Sequence, residues 1–441
     1  MPSRCSVLDK LALLAILVSA CQSGLGQAQS EADPQPPTLK QFGSSLKQLK
    51  WDPNKKAVIE TAARAAQSGS SEDVVRVDVD LVVCDVLVLD GDGKIVQGLT
   101  RDDFIVTEDK HLQQIAHFSA GDDLSIERSI VLIIDYSSSQ RPFIQNSIEA
   151  AKILVDQLRP RDQMAIVTDD VELLVDYTRD KERLKYALED LRQRATLQDR
   201  FGRSDQFSAL MATARELFSR EDYRRFIIFQ TDGDELELLQ PADLYRYYFI
   251  SRPGSNASEK EKRTAETALA NSVEAGKPMV KNFGVNDVYQ AVEKSHATLY
   301  SVIPGVRLLG LSADEQREGA RRFMKYWLDV QPQSIYKLPK KYLPRFEENF
   351  LQNAPIWLGR QAAVDGAAKI TGGFTSFLEY PTQAQEIYAR ILSDMNNRYL
   401  IGYYPANKLR DGKRRSVSIA VRNHPEYSVE GRKSYFAPGP E

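Results

Sequence analysis

The chain has little cysteine, little histidine and almost no excess charge. Of its three cysteines, Cys5 and Cys21 fall in the leader region, so Cys84 is alone in the folded part and no intradomain disulfide can form. The four histidines, His111, His117, His296 and His424, are scattered without zinc spacing. With 58 Lys and Arg against 61 Asp and Glu, a net charge of −3 gives no electrostatic reason for a nucleic-acid partner. The basic run "KLPKKYLPR" then reads as a solvated face. No "GxSxG" or "HExxH" occurs, and there is no internal repeat.

What is present is ordinary for a soluble globular protein: 441 residues, 42% hydrophobic and 27% charged, enough for two or three domains once a leader is removed. The leader is "MPSRCSVLDKLALLAILVSACQSG". It has an early basic residue, an apolar core from Leu11 to Val18 and small residues before Cys21. That core is too short to span a bilayer comfortably and reads as an export signal. "VSAC" resembles a bacterial lipobox, which implies a signal segment over 1–21 and lipidation of Cys21, hence a membrane anchor and an envelope, outer-membrane location. The alternative is cleavage near "GQA", leaving a free secreted protein. Residues 22–71 read as a tether followed by an amphipathic helix or linker over about Leu39 to Ala66.

From Val74 to Leu89 the chain alternates, with Val77, Val79 and Leu81 on one face and Arg76, Asp78 and Asp80 on the other, which predicts a half-buried strand. With "FIVTED" and "QQIAHFS" it suggests a small β domain over 72–122. The next segment, 126–396, alternates strands with helices. "SIVLIID", "QMAIVT", "ELLVDY", "RFIIFQ" and "TLYSVI" are strands, while Ile144, Ile148, Ala151, Val155 and Leu158 recur at helical spacing. This pattern predicts an α/β fold with a doubly wound, mostly parallel sheet. Two connections are long, 236–285 and 330–355. A helix is expected after Pro355, stopped at Gly372, and 397–441 holds three strands of a closing β unit.

In a doubly wound sheet, ligands sit beyond the carboxyl ends of the strands, near the switch in strand order. Asp135 stands at such an end and is followed by Ser137, Ser138 and Ser139. "TDGD", Thr231 to Asp234, follows "RFIIFQ", and the polar loop "RFGRSDQFSAL" lies between the two in sequence. If these loops meet, the hydroxyls of Ser137, Ser139 and Ser204 and the carboxylates of Asp135 and Asp232 form an oxygen-only set. Such a set suits magnesium, with manganese or calcium as alternatives. Ser208 is a substitute for Ser204. Asp169 and Asp170, also after a strand, read as a solvated turn outside the site.

Asp135, Ser137 and Ser139 match the D-x-S-x-S motif of von Willebrand factor type A domains, and Asp232 matches the aspartate of that family's third loop. "GRSDQFSAL" resembles its G-G-T loop, with serine in place of threonine. The flanks, over roughly 74–436 apart from the two long connections, look like those of the acidobacterial VWFA-related domain family. The resemblance implies a metal-ion-dependent adhesion site in which hydroxyls hold the ion, both aspartates act largely through water, and a partner protein's Asp or Glu carboxylate completes the shell. It implies a binding module. The alternatives are a scaffold with a non-bridging metal and a metal-dependent hydrolase. The 236–285 connection, leaving the sheet just after Asp232, is expected to join the partner-binding rim, and 330–355 to start near the opposite face.

Overall fold

The computed structural model describes residues 41–60, 81–121, 123, 125–196, 198, 200–218, 224–241, 280–330 and 343–439. Cys21, the leader, the tether and the alternating run over 74–80 lie outside these. No helix among the described residues is long and apolar enough to cross a membrane.

Of the stretch expected as a helix or linker over about Leu39 to Ala66, the described residues 41–60 form not an α-helix but a short 3-10 turn and a hairpin of β1 (Leu49–Asp52) and β2 (Ala57–Glu60). Asp52 decides this locally. Its carboxylate accepts the Asn54 N–H at 2.9 Å and the Lys55 N–H at 3.3 Å, an Asx turn that reverses the chain around Pro53.

Four strands follow: β3 (Val82–Leu89), β4 (Phe104–Glu108), β5 (His111–Gln113) and β6 (Ile115–Ser119). The α/β part begins with β7 (Arg128–Ile134), α1 (Ile144–Asp156), β8 (Gln163–Thr168), β9 (Glu172–Thr178), α2 (Lys181–Thr196) and α3 (Gln206–Glu216). It continues with β10 (Arg224–Gln230), α4 (Val285–Lys294), β11 (Thr298–Pro304), α5 (Ala313–Val330), α6 (Leu343–Ile370), β12 (Thr375–Leu378) and α7 (Ala384–Asn397). The chain closes with β13 (Tyr399–Tyr403), β14 (Arg414–Val421), β15 (Ser428–Glu430) and β16 (Ser434–Phe436).

The central sheet has the order β12-β11-β10-β7-β8-β9, all parallel except β9. "ELLVDY" runs antiparallel because only the turn Asp169–Val171 separates it from β8, far too little chain for a crossover. Alternate residues of β7 feed two cores. Ile130, Leu132 and Ile134 pack with α1, α2 and α7 on one face, and Val131 and Ile133 with α3, α4 and α6 on the other. All five are fully buried, each contributing about 1.5–3 kcal/mol of hydrophobic stabilisation.

Helix α6 does not begin after Pro355 but runs through it. Phe350 and Ala354, on the near side of the proline, are buried against Val306, Leu308 and Ala320, so packing offsets the hydrogen bond that proline cannot make. Gly372, at φ +80°, follows the helix in the left-handed conformation expected of it.

The expected N-terminal and C-terminal β units interleave. One sheet is ordered β15-β3-β13-β6 and the other β16-β14-β4-β5, so each takes strands from both ends of the chain. Strand β3, with both edges available, pairs β13 on one side and β15 on the other. Buried charges tie this sandwich to the α/β part: Arg224 donates from Nε to Asp85 at 2.9 Å, and Arg398, paired with Asp394, donates to the Asp85 carbonyl at 3.2 Å.

Candidate metal and partner site

Strands β7 and β10 are parallel neighbours in register, Ile134 opposite Gln230, so their carboxyl ends release two loops side by side. The chain passes from β7 to β8 on one side and returns at β10 on the other, which makes this gap the switch point of the sheet. The first loop carries Asp135 to Gln140 and the third Thr231 to Asp234; a second loop, Gly202 to Asp205, leads into α3.

Asp135 is fully buried. Its carboxylate accepts the Ser137 N–H at 3.0 Å, the Gln206 amide at 2.9 Å and the Thr231 hydroxyl at 3.3 Å. Burial, reinforced by Asp169, Asp232 and Asp234, holds its pKa well above the usual carboxylate range. The Ser137 and Ser139 hydroxyls stand 3.0 Å apart, and Ser139 donates to Asp232 at 2.6 Å. Thus four of the five expected residues meet: Asp135, Ser137, Ser139 and Asp232.

Ser204 does not join them through any hydrogen bond. At φ +62°, its backbone N–H is held by Asp169 at 2.7 Å. Ser208, the substitute, is also committed elsewhere, donating both its N–H and its hydroxyl to the buried Glu235. The first residue of α3, Gln206, is presented instead: its amide nitrogen bridges Asp135 and Asp234, at 2.9 and 2.7 Å, while its oxygen accepts the Glu235 N–H at 3.2 Å.

The reading of Asp169 and Asp170 as a solvated turn is corrected. Asp169 is fully buried and accepts N–H groups from both Tyr136 and Ser204, pinning the first loop to the second. Asp170 takes the Arg203 N–H at 2.7 Å. Burial pushes the pKa of Asp169 up to about 7, and burial together with Asp232 pushes Asp234 up to about 7. Sequence reasoning also passed over Gln140, which donates to Asp232 at 2.9 Å and to Ser139 at 3.3 Å. Its place one residue after the serine run was the available clue.

Both ends of the 236–285 connection lie beside these loops, while its middle, 242–279, falls outside the described residues. Gln240 and Gly284 form a bridge, and Lys281 pairs with Asp205 at 2.5 Å and Glu235 at 3.1 Å. Residues 331–342 of the other connection are likewise outside.

Residues 130–235 match the family model of the von Willebrand factor type A domain. The chain carries a domain of that family. No curated protein matches. Solved structures that resemble it include the conserved hypothetical protein BatB from Bacteroides thetaiotaomicron, 14% identical, covering 61% of this chain and 98% of that one at a TM-score of 0.31. Another is the vWF domain of the type V pili tip protein Mfa5 from Porphyromonas gingivalis, 11% identical over 62% and 95% of the two chains, TM-score 0.31. A third is the manganese-loaded TRAP protein of Plasmodium vivax, 11% identical over 77% and 100%, TM-score 0.27.

The donor set of this von Willebrand factor type A domain fits a hard cation, for two neutral hydroxyls and two aspartates converge beyond the adjacent ends of β7 and β10. Among the described residues no group of three or more His, Cys, Asp or Glu side chains is placed to hold a metal by itself.

Proposed function

We propose that this protein binds a partner protein through a divalent metal, magnesium in the first instance, at the carboxyl end of β7 and β10. The observation that carries this reading is the meeting of Ser137 and Ser139, 3.0 Å apart, with Asp232 and the buried Asp135. Ser137 and Ser139 would hold the ion, and Asp135 and Asp232 would accept hydrogen bonds from its waters. A bound ion supplies positive charge that neutral hydroxyls do not cancel, and so attracts an Asp or Glu carboxylate from outside. Asp135 is locked by three donors and keeps Ser137 in place through its backbone N–H.

A hydrolase is less well supported, since none of the four histidines lies in these loops to serve as a base. The test is capture of partner protein by the immobilised chain, with and without chelator. Metal-dependent capture supports the bridge, and capture indifferent to EDTA leaves a scaffold. We further propose that the chain is exported and anchored to the bacterial envelope by lipid at Cys21. Mass spectrometry of the mature protein should find a lipidated Cys21 at its N-terminus; an unmodified start near Gln27 or Gln29 would show a free secreted protein.

A further inference from the structure

Gln140 is 1% exposed and sits at the edge of the cluster. Its amide nitrogen lies 2.9 Å from the Asp232 carboxylate and 3.3 Å from the Ser139 hydroxyl, two of the groups that would surround a cation. Its amide oxygen is buried with no hydrogen-bond partner among the described residues. A buried acceptor left unpaired is unfavourable, and it calls for a partner. No hydroxyl of the second loop is hydrogen-bonded to the cluster, meanwhile: Ser204 is tied through its backbone N–H to Asp169, and the Ser208 hydroxyl is spent on Glu235.

We propose that Gln140 is a metal ligand of this site, its carbonyl oxygen supplying the third neutral donor in place of a second-loop hydroxyl. This rests on the metal-bridge reading above. The two ends of an amide have the same shape, so a half-turn about the last side-chain bond brings Oε1 to the point now held by Nε2, facing Ser139 and Asp232. Without a cation the nitrogen end faces the carboxylate, because an N–H is attracted to it and an oxygen repelled. With a cation between them the preference reverses: the oxygen gains the ion, and the nitrogen gives up its bonds to Asp232 and Ser139. Gln206 cannot make the same turn freely, since its oxygen already accepts the Glu235 N–H and its nitrogen is shared by two carboxylates.

The test is calorimetric titration of the full chain with Mn2+ alone, comparing wild type, Gln140→Met and Ser204→Ala. Gln140→Met keeps the volume and removes the oxygen, and should weaken Mn2+ binding about tenfold or more, as loss of a donor does at metal sites. Ser204→Ala should stay within about twofold. Should Gln140→Met fail to fold, Gln140→Glu carries the test, since a carboxylate has an oxygen at either end and must bind Mn2+ at least as tightly as wild type. Equal or tighter binding by Gln140→Met, weaker binding by Gln140→Glu, or a loss on Ser204→Ala would overturn the assignment while leaving the metal bridge standing. A wild-type chain that takes up no Mn2+ would overturn both.

Discussion

Gly202 lies against Asp169 so closely that a Cβ added to it would fall 2.0 Å from one carboxylate oxygen and 2.1 Å from the other. That carboxylate accepts the Tyr136 N–H at 3.1 Å and the Ser204 N–H at 2.7 Å, so one buried aspartate fixes the relative position of two loops, one after β7 and one between α2 and α3. Gly202 is what allows the second loop to close over it, with its own N–H donating to the Tyr136 carbonyl at 3.3 Å.

Gly202→Ala should therefore force Asp169 aside and act at a distance. We expect a loss of about 1–3 kcal/mol of stability, the usual cost of overpacking. Weaker Mn2+ binding should follow, because Tyr136 moves with Asp169 and Ser137 follows in the chain. Urea melts and metal titration would check this; a variant with wild-type stability and affinity would mean that the loop yields without cost.

The sheet, its strand ends and the meeting of Asp135, Ser137, Ser139 and Asp232 were legible because each depends on short-range pattern. Apolar strands followed at once by Asp135 or by "TDGD" place those groups at the switch point whatever the loops do. The second loop was not legible in this way. Which of Ser204, Gln206 and Ser208 faces Asp135 is set by the positive φ of Ser204 and by Asp169 and Glu235, residues 27 to 35 positions away. Asp169 looked like an ordinary acidic turn because nothing local tells a solvated carboxylate from one covered by a distant glycine. The interleaved sandwich was hidden for the same reason, since β3 and β13 are far apart in sequence and alternation in each says nothing about the partner.

Arg398 offers a test of how firmly the sandwich is joined to the α/β part. It is 1% exposed, pairs with Asp394, and donates to the Tyr300 hydroxyl at 3.0 Å and to the Gly372 and Asp85 carbonyls at 2.7 and 3.2 Å. Arg398→Met fills similar space but leaves Asp394 buried without its cation, and should cost about 3–5 kcal/mol. Arg398→Lys should rescue little, because an ammonium cannot reach this fan of acceptors. Denaturant unfolding of the two variants would decide; a cost below about 1 kcal/mol for both would show that packing alone holds the join.

His296 predicts an acid-side loss of stability. Burial, with Arg432 and Arg225 nearby, holds its pKa well below the ordinary 6.5, and its Nδ1 accepts from the Arg432 guanidinium at 2.8 Å. A neutral imidazole is thus favoured in the folded state, while the unfolded chain takes up a proton near pH 6.5. The stabilisation is fully present above that pH and declines as pH falls, by up to about 1.4 kcal/mol per pH unit for one proton, until the folded pKa is reached. His296→Asn keeps an acceptor for Arg432 and tolerates the φ of +60° found here, so it should flatten this part of the stability profile. An unchanged profile between pH 4.5 and about 6.5 would assign the loss to other groups.

The metal-bridge reading makes its strongest demand on linkage. Asp135 is surrounded by Asp169, Asp232 and Asp234, and burial with these neighbours resists full ionisation of the cluster. A cation alone must overcome that resistance with mostly neutral ligands, so Mg2+ should bind the free protein weakly. A partner carboxylate adds negative charge at the open side of the ion. Metal must then tighten partner, and partner metal, by the same factor. Asp135→Ala should abolish that coupling. It removes the acceptor shared by Ser137, Gln206 and Thr231, so a stability loss of about 1–3 kcal/mol should accompany it. Circular dichroism and a melting curve would establish that the variant is folded. Calorimetry would then measure metal with and without partner, and partner with and without metal. Tight Mg2+ binding by the free protein, unequal coupling factors, or partner capture that persists in both EDTA and Asp135→Ala would rule out the bridge.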